Sequence, residues 1–201
     1  MYTFRRFFIS YYTETSNKGS DHVDKFNLDK CIKAIAKGSE QALKNLYDNY
    51  KNPMFQFALS IVKDYDLAEE AVQDTFVNII SYSKNSRIDN SKSWLFAVVK
   101  HQCLKILRQE HTEQKSPIED YSEILSTNDS TEIVDNSVDD IEALQCLDDL
   151  ERQIVTLCIY GQLTQNQTAQ ALNIPYMKVR SKYNYAIKKL RKFYMERGRF
   201  S

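Results

Sequence analysis

Asp66, Glu69, Glu70 and Asp74 stand within nine residues of one another, with Gln73 among them. Glu70 and Asp74 are four apart, one turn along the same helix face, and could begin a divalent-metal site. No third or fourth ligand follows nearby, so a hydrophilic acidic face suited to an Arg- and Lys-bearing partner helix is the stronger reading, with a merely solvated face as the alternative. The cysteines (Cys31, Cys103, Cys146, Cys158) and histidines (His22, His101, His111) are scattered, with no Cys-x-x-Cys pair. That argues for packed, reduced thiols rather than a metal cluster or a disulfide framework. No nucleophile stands beside a base, and no Gly-rich phosphate loop occurs. The chain is expected to be no enzyme and to need no cofactor or metal.

Cations supply the second chemistry. The zero formal charge divides into +4 over residues 1–109, −13 over 110–151 and +9 over 152–201. A basic end on a neutral protein commonly meets nucleic acid there. Within it Lys178, Arg180, Ser181, Lys182, Asn184, Tyr185, Lys188 and Lys189 fall on or near the polar side of a helical pattern that begins at Tyr176. Cations of that length reach phosphates and guanine edges, and the shorter polar groups add hydrogen bonds. Further upstream, Trp94 and Phe96 open a stretch continuing through Lys100, His101, Lys105 and Arg108. Aromatic surface beside a basic track is what opening a duplex requires, since stacking on a ring replaces about 1–3 kcal/mol per base. Core packing is an equally good account of Trp94 and Leu95.

The elements that would position these residues are helical. Gly and Pro are few, and no apolar run approaches the ~18 residues of a membrane span. The first twelve residues are too short and too interrupted for a secretory signal, so a cytoplasmic location is expected. Residues 1–27 read as a loosely ordered extension. Helical spacing begins at Leu28, stops at Gly38, restarts behind Ser39 as N-cap and runs from Glu40 to Val62, with a kink or break expected at Pro53. Asp66 and Glu69 have capping-box spacing for a next helix that buries Leu67, Ala71, Val72, Thr75, Phe76, Ile79 and Ile80. Residues 81–92 read as a polar loop, and Ser93 to about Glu110 as a further helix. The acidic stretch 111–138 lacks periodicity and reads as a flexible linker. Four helices are then expected, over about 139–150, 151–160, 165–172 and 176–196.

The last two form a helix-turn-helix. Thr164 and Gln167 make a capping box, Asn173 suits the left-handed turn, Ile174 tucks under it and Pro175 starts the next helix. Val179, Tyr183, Ala186, Ile187 and Leu190 would face inward, leaving the basic face for a DNA groove. The fold class expected is all-α: two small helical domains, 28–110 and 139–201, on either side of the acidic linker.

The segment Asp66-Leu67-Ala68-Glu69-Glu70-Ala71-Val72-Gln73-Asp74-Thr75-Phe76 resembles the one by which bacterial sigma factors dock on RNA polymerase. Leu46-Tyr47, Tyr50 and Pro53 resemble that family's preceding helix. Trp94-Leu95 with Lys100 to Arg108 resembles its helix for reading and melting the minus-10 promoter element, and the loop before Trp94 resembles the one that captures a flipped base. Leu163 to Arg191 is similar to the minus-35-reading domain. Order and spacing match the extracytoplasmic-function (ECF) group. The resemblance implies promoter DNA and core polymerase, through its β′ clamp coiled coil and β flap, as partners, and it allows an anti-sigma factor. His101 departs from the family's frequent Asn, Leu147-Asp148-Asp149-Leu150 lacks its usual proline, and the extension before residue 28 has no counterpart. A two-domain helix-turn-helix regulator that does not bind polymerase is the alternative; a helical metal-dependent nuclease is a more distant one.

Overall fold

A computed structural model describes residues 26–85, 88–113 and 138–196. The expected extension (1–27) and linker (111–138) therefore lie almost wholly outside the described residues. Eight helices occur among those described: α1 (Leu28–Ala36), α2 (Glu40–Val62), α3 (Tyr65–Asn85), α4 (Ser91–Glu113), α5 (Val138–Gln145), α6 (Asp149–Ile159), α7 (Gln165–Leu172) and α8 (Tyr176–Glu196).

Local chemistry sets most of these ends. Gly38 takes φ +85° between α1 and α2, and Ser39 Oγ accepts from the Ala42 N–H, a cap worth about 0.5–2 kcal/mol. Pro53 does not break α2, which runs as one helix from Glu40 to Val62. Met54, Phe57 and Ala58 are fully buried just beyond it, and that burial outweighs the roughly 3 kcal/mol that an interior proline costs. The α3 cap is Asp64 rather than Asp66: its carboxylate accepts from the Leu67 N–H at 2.9 Å, after Lys63 has ended α2 in the left-handed region. α3 also continues through Asn85, so the expected loop at 81–92 is shorter. Ser83 is buried with its hydroxyl on the Ile80 carbonyl, and Tyr82 accepts from Gln102 of α4, which binds these polar residues to the helix. α4 begins at Ser91, where Asn90 Oδ1 accepts from the Ser93 N–H. α5 ends at Gln145, five residues before the expected stop, because Asp148 and Glu151 form a reciprocal capping box that starts α6.

Helices α1 to α4 pack on one another, and α5 to α8 do the same. The two groups also meet, α4 against α7 and α2 against α6, and a single hydrophobic cluster runs through both. Gly161, in the turn after α6, permits this approach. A Cβ there would fall 2.7 Å from the Leu157 carbonyl oxygen and 3.1 Å from the Phe96 ring.

Candidate nucleic-acid and polymerase interfaces

In the helix-turn-helix the Thr164–Gln167 capping box is present, and Asn173 adopts φ 55°, ψ 51°. Val179, Tyr183, Ala186, Ile187 and Leu190 are buried, joined by Tyr194. Tyr176, Lys178, Arg180, Ser181, Tyr185 and Lys188 of α8 are all exposed, with the Lys188 ammonium near the Tyr185 ring. Lys182 departs from the expected arrangement. Its ammonium bonds Asp148 Oδ2 and lies 3.5 Å from Glu151 Oε1, so it turns back onto α6 instead of outward. The Asp148 hydrogen bond raises its pKa above the ordinary lysine value.

The second group of DNA candidates is spread around α4. Leu95 and Phe96 are fully buried and Trp94 packs against the core, in keeping with the packing account of Trp94 and Leu95. Lys100 donates to the Leu172 carbonyl oxygen at 2.6 Å, at the C-terminal end of α7, and burial lowers its pKa. Ser93 Oγ meets Gln170 Oε1 at 3.1 Å, and Lys92 donates to the Gln162 carbonyl at 3.2 Å. Lys105 pairs with Asp74 at 3.3 Å. His101 is exposed, edge-on to Tyr82 with ring centroids 6.5 Å apart, and Arg108 is exposed further along the helix. The structure thus brings these residues onto one helix, but in this closed arrangement Lys100 lies in the seam with α7.

The acidic face of α3 is present. Asp66, Glu69, Glu70 and Gln73 are exposed, while Asp74 is half-buried and committed to Lys105. Sequence reasoning missed the apolar surface beside them. Tyr47 of α2 is 43% exposed, and Val77 of α3 is 77% exposed. With Phe55, Val72 and Phe76 they line a groove of about 320 Å³, rimmed by Lys51, Glu69 and Gln73. The Tyr47 and Phe76 rings lie tilted against each other, centroids 5.2 Å apart. The available signal was position: Val77 lies on the same side of α3 as Gln73, away from the buried stripe.

Among the described residues no three His, Cys, Asp or Glu side chains gather as a metal site needs. Burial pushes the Cys103 thiol up to about 12 and Cys158 up to about 11, which leaves both protonated and poorly nucleophilic at neutral pH.

Family models for sigma-70 region 2 and sigma-70 region 4 match residues 46–112 and 143–192, and together cover more than half of the chain. Curated relatives include the ECF RNA polymerase sigma factor SigX of Bacillus subtilis, 26% identical over 76% of this chain and 84% of the relative. The ECF RNA polymerase sigma factor SigK of Mycobacterium bovis is 22% identical over 82% of this chain and 92% of the relative. The chain belongs to the ECF group of RNA polymerase sigma factors. Solved structures share its fold. CnrH in complex with the cytosolic domain of CnrY aligns with TM-score 0.54 at 18% identity, covering 83% of this chain and 96% of that one. RpoE in complex with the anti-sigma factor NepR, from Bartonella quintana, aligns at 0.57 and 19%, covering 77% and 97%. This sigma factor has no helix among its described residues that is long and apolar enough to cross a membrane.

Proposed function

We propose a division of labour within this sigma factor: residues 28–110 bind core polymerase and the minus-10 element, and 139–201 read the minus-35 element. α8 is the reader of minus-35, through Arg180 and Ser181 to base edges and Lys178, Lys188, Tyr176 and Tyr185 to backbone or bases. α4 supplies His101, Lys105, Arg108 and, once uncovered, Lys100 to the minus-10 strand, with Trp94 at its start. The face bearing Asp66, Glu69, Glu70, Gln73 and Asp74, with the Tyr47–Val77 groove beside it, docks on the β′ clamp coiled coil. The C-terminal helices meet the β flap. The factor itself is no enzyme, the synthesis of RNA belonging to the polymerase, and it works in the cytoplasm. An anti-sigma factor is a further partner, supported by the complexes its solved neighbours form.

The observation that carries this reading is the coexistence, on one chain, of an open acidic-apolar face on α3 and an outward-facing basic helix on α8. The packing of α4 against α7 belongs to the unengaged protein.

Charge reversal at Glu69→Lys and Glu70→Lys tests the docking face. Like-charge contacts cost several kcal/mol at an interface, so retention by immobilised core polymerase should fall at least ~100-fold while duplex binding by α8 persists. Unchanged retention removes the docking assignment.

A further inference from the structure

Glu151 sits in the first turn of α6 with its side chain only 3% exposed, an uncommon position for a carboxylate. Oε2 accepts from the Asp148 N–H at 3.1 Å and from Lys189 of α8 at 2.6 Å, and Oε1 lies 3.5 Å from Lys182 of α8. Asp148 closes the arrangement: its Oδ1 accepts from the Glu151 N–H at 2.8 Å and its Oδ2 from Lys182. Lys182 and Lys189 are seven residues apart, two turns along one side of α8, and both reach back to the same two acids.

We propose that Asp148 and Glu151 form a clamp that holds the recognition helix by two of its lysines and decides which of its cations face DNA. Lys182 and Lys189 are held off the phosphates, while their neighbours Arg180 and Lys188 project outward. The clamp acts on promoter choice in two ways. It fixes the rotation of α8 about its own axis, which sets the base edges that Arg180 and Ser181 can reach. It also withholds two positive charges from sequence-independent attraction, which favours the preferred site over the excess of competing DNA. Asp148 and Glu151 are positioning residues in this scheme and touch no DNA. The inference rests on the reading of α8 as the DNA-facing helix.

The two effects are separable by salt. Each lysine that displaces counterions from phosphate contributes about 0.9 to the slope of log K against log salt. The full chain is titrated with a random-sequence duplex at several salt concentrations. Lys188→Gln should reduce the slope by about 0.9, whereas Lys189→Gln, one residue away, should leave it unchanged. Asp148→Asn with Glu151→Gln should steepen it by about 1 to 2 as both lysines are released, and adding Lys189→Gln to that pair should take about 0.9 back. A clamp that merely stabilised the fold would not raise the slope, and the Lys188/Lys189 contrast holds even if the double amide variant folds poorly. A drop for Lys189→Gln equal to that for Lys188→Gln overturns the clamp and leaves the reading of α8 intact. No change for either lysine overturns both.

Discussion

Along α4, Lys100 gives its ammonium to the Leu172 carbonyl and Lys105 pairs with Asp74, whereas along α8 Arg180, Ser181, Tyr185 and Lys188 lie on the outer face. The two helices carry similar residues and differ in their neighbours. α4 is flanked by α2, α3 and α7, so most of its circumference is used. α8 rests on α5, α6 and α7 and keeps one long side open. A reader of duplex DNA needs only a convex helix with exposed cations, and α8 has that in the closed form. If α4 receives the minus-10 strand as proposed, its Lys100 must first be uncovered from α7. On that reading duplex recognition by α8 can precede opening, while full use of α4 requires it.

The sharpest way to break this comparison is at α8. Arg180→Ala should lose about 1–3 kcal/mol of promoter binding, roughly 5- to 150-fold, and relax selection at one base pair if the guanidinium makes a bidentate base contact. Its exposure predicts no measurable change in thermal stability. Selection from a randomised duplex pool measures both consequences of the base contact, and an unaltered preference would deny α8 its role.

A second effect is expected at α4. In Lys100→Met the hydrogen bond to Leu172 is lost, worth about 1.5–3 kcal/mol for a charged donor. In the isolated protein this should loosen the α4–α7 seam, seen by small-angle scattering as a larger radius of gyration. In the holoenzyme the same substitution should reduce strand opening, read by permanganate reactivity of unpaired thymines. An expanded isolated chain with normal opening would mean that Lys100 serves closure alone, and α4 would lose one of its proposed DNA contacts.

The helix-turn-helix was legible to the residue, because Thr164, Gln167, Asn173 and Pro175 act through backbone chemistry within four positions of themselves. The acidic face of α3 was equally legible from its 3.6-residue pattern. The role of Lys182 was not. Its spacing puts it near the polar side, and only the fold reveals two carboxylates more than thirty residues earlier waiting for it. A partial signal existed in Asp148-x-x-Glu151, a capping-box pattern that also marks the start of α6. The α4–α7 seam was hidden for the same reason. Lys92, Ser93 and Lys100 look solvated by composition, and their partners in and around α7 are some seventy residues away. At Pro53 the local rule predicted a kink or break, and with core burial on either side the helix runs through it unbroken.

The smallest expected effect concerns pH and the seam. Burial lowers the Lys100 pKa below its ordinary 10.5 in the closed form, and opening returns the ammonium to water and to that value. Between the two values the closed form binds fewer protons than the open one, so closure strengthens as pH rises through that window and does not change with pH below it. A neutral amine still donates a hydrogen bond to the Leu172 carbonyl, so deprotonation relieves the burial cost without removing the contact. The effect of Lys100 is read as a difference between the native chain and Lys100→Met, so that every other titration cancels. Scattering at pH 8 and pH 10 should show the native chain becoming more compact relative to the variant. A native chain whose compactness merely tracks that of Lys100→Met over that range would place the Lys100 ammonium in water in both forms, outside the seam, and α4 would then be as open to DNA as α8.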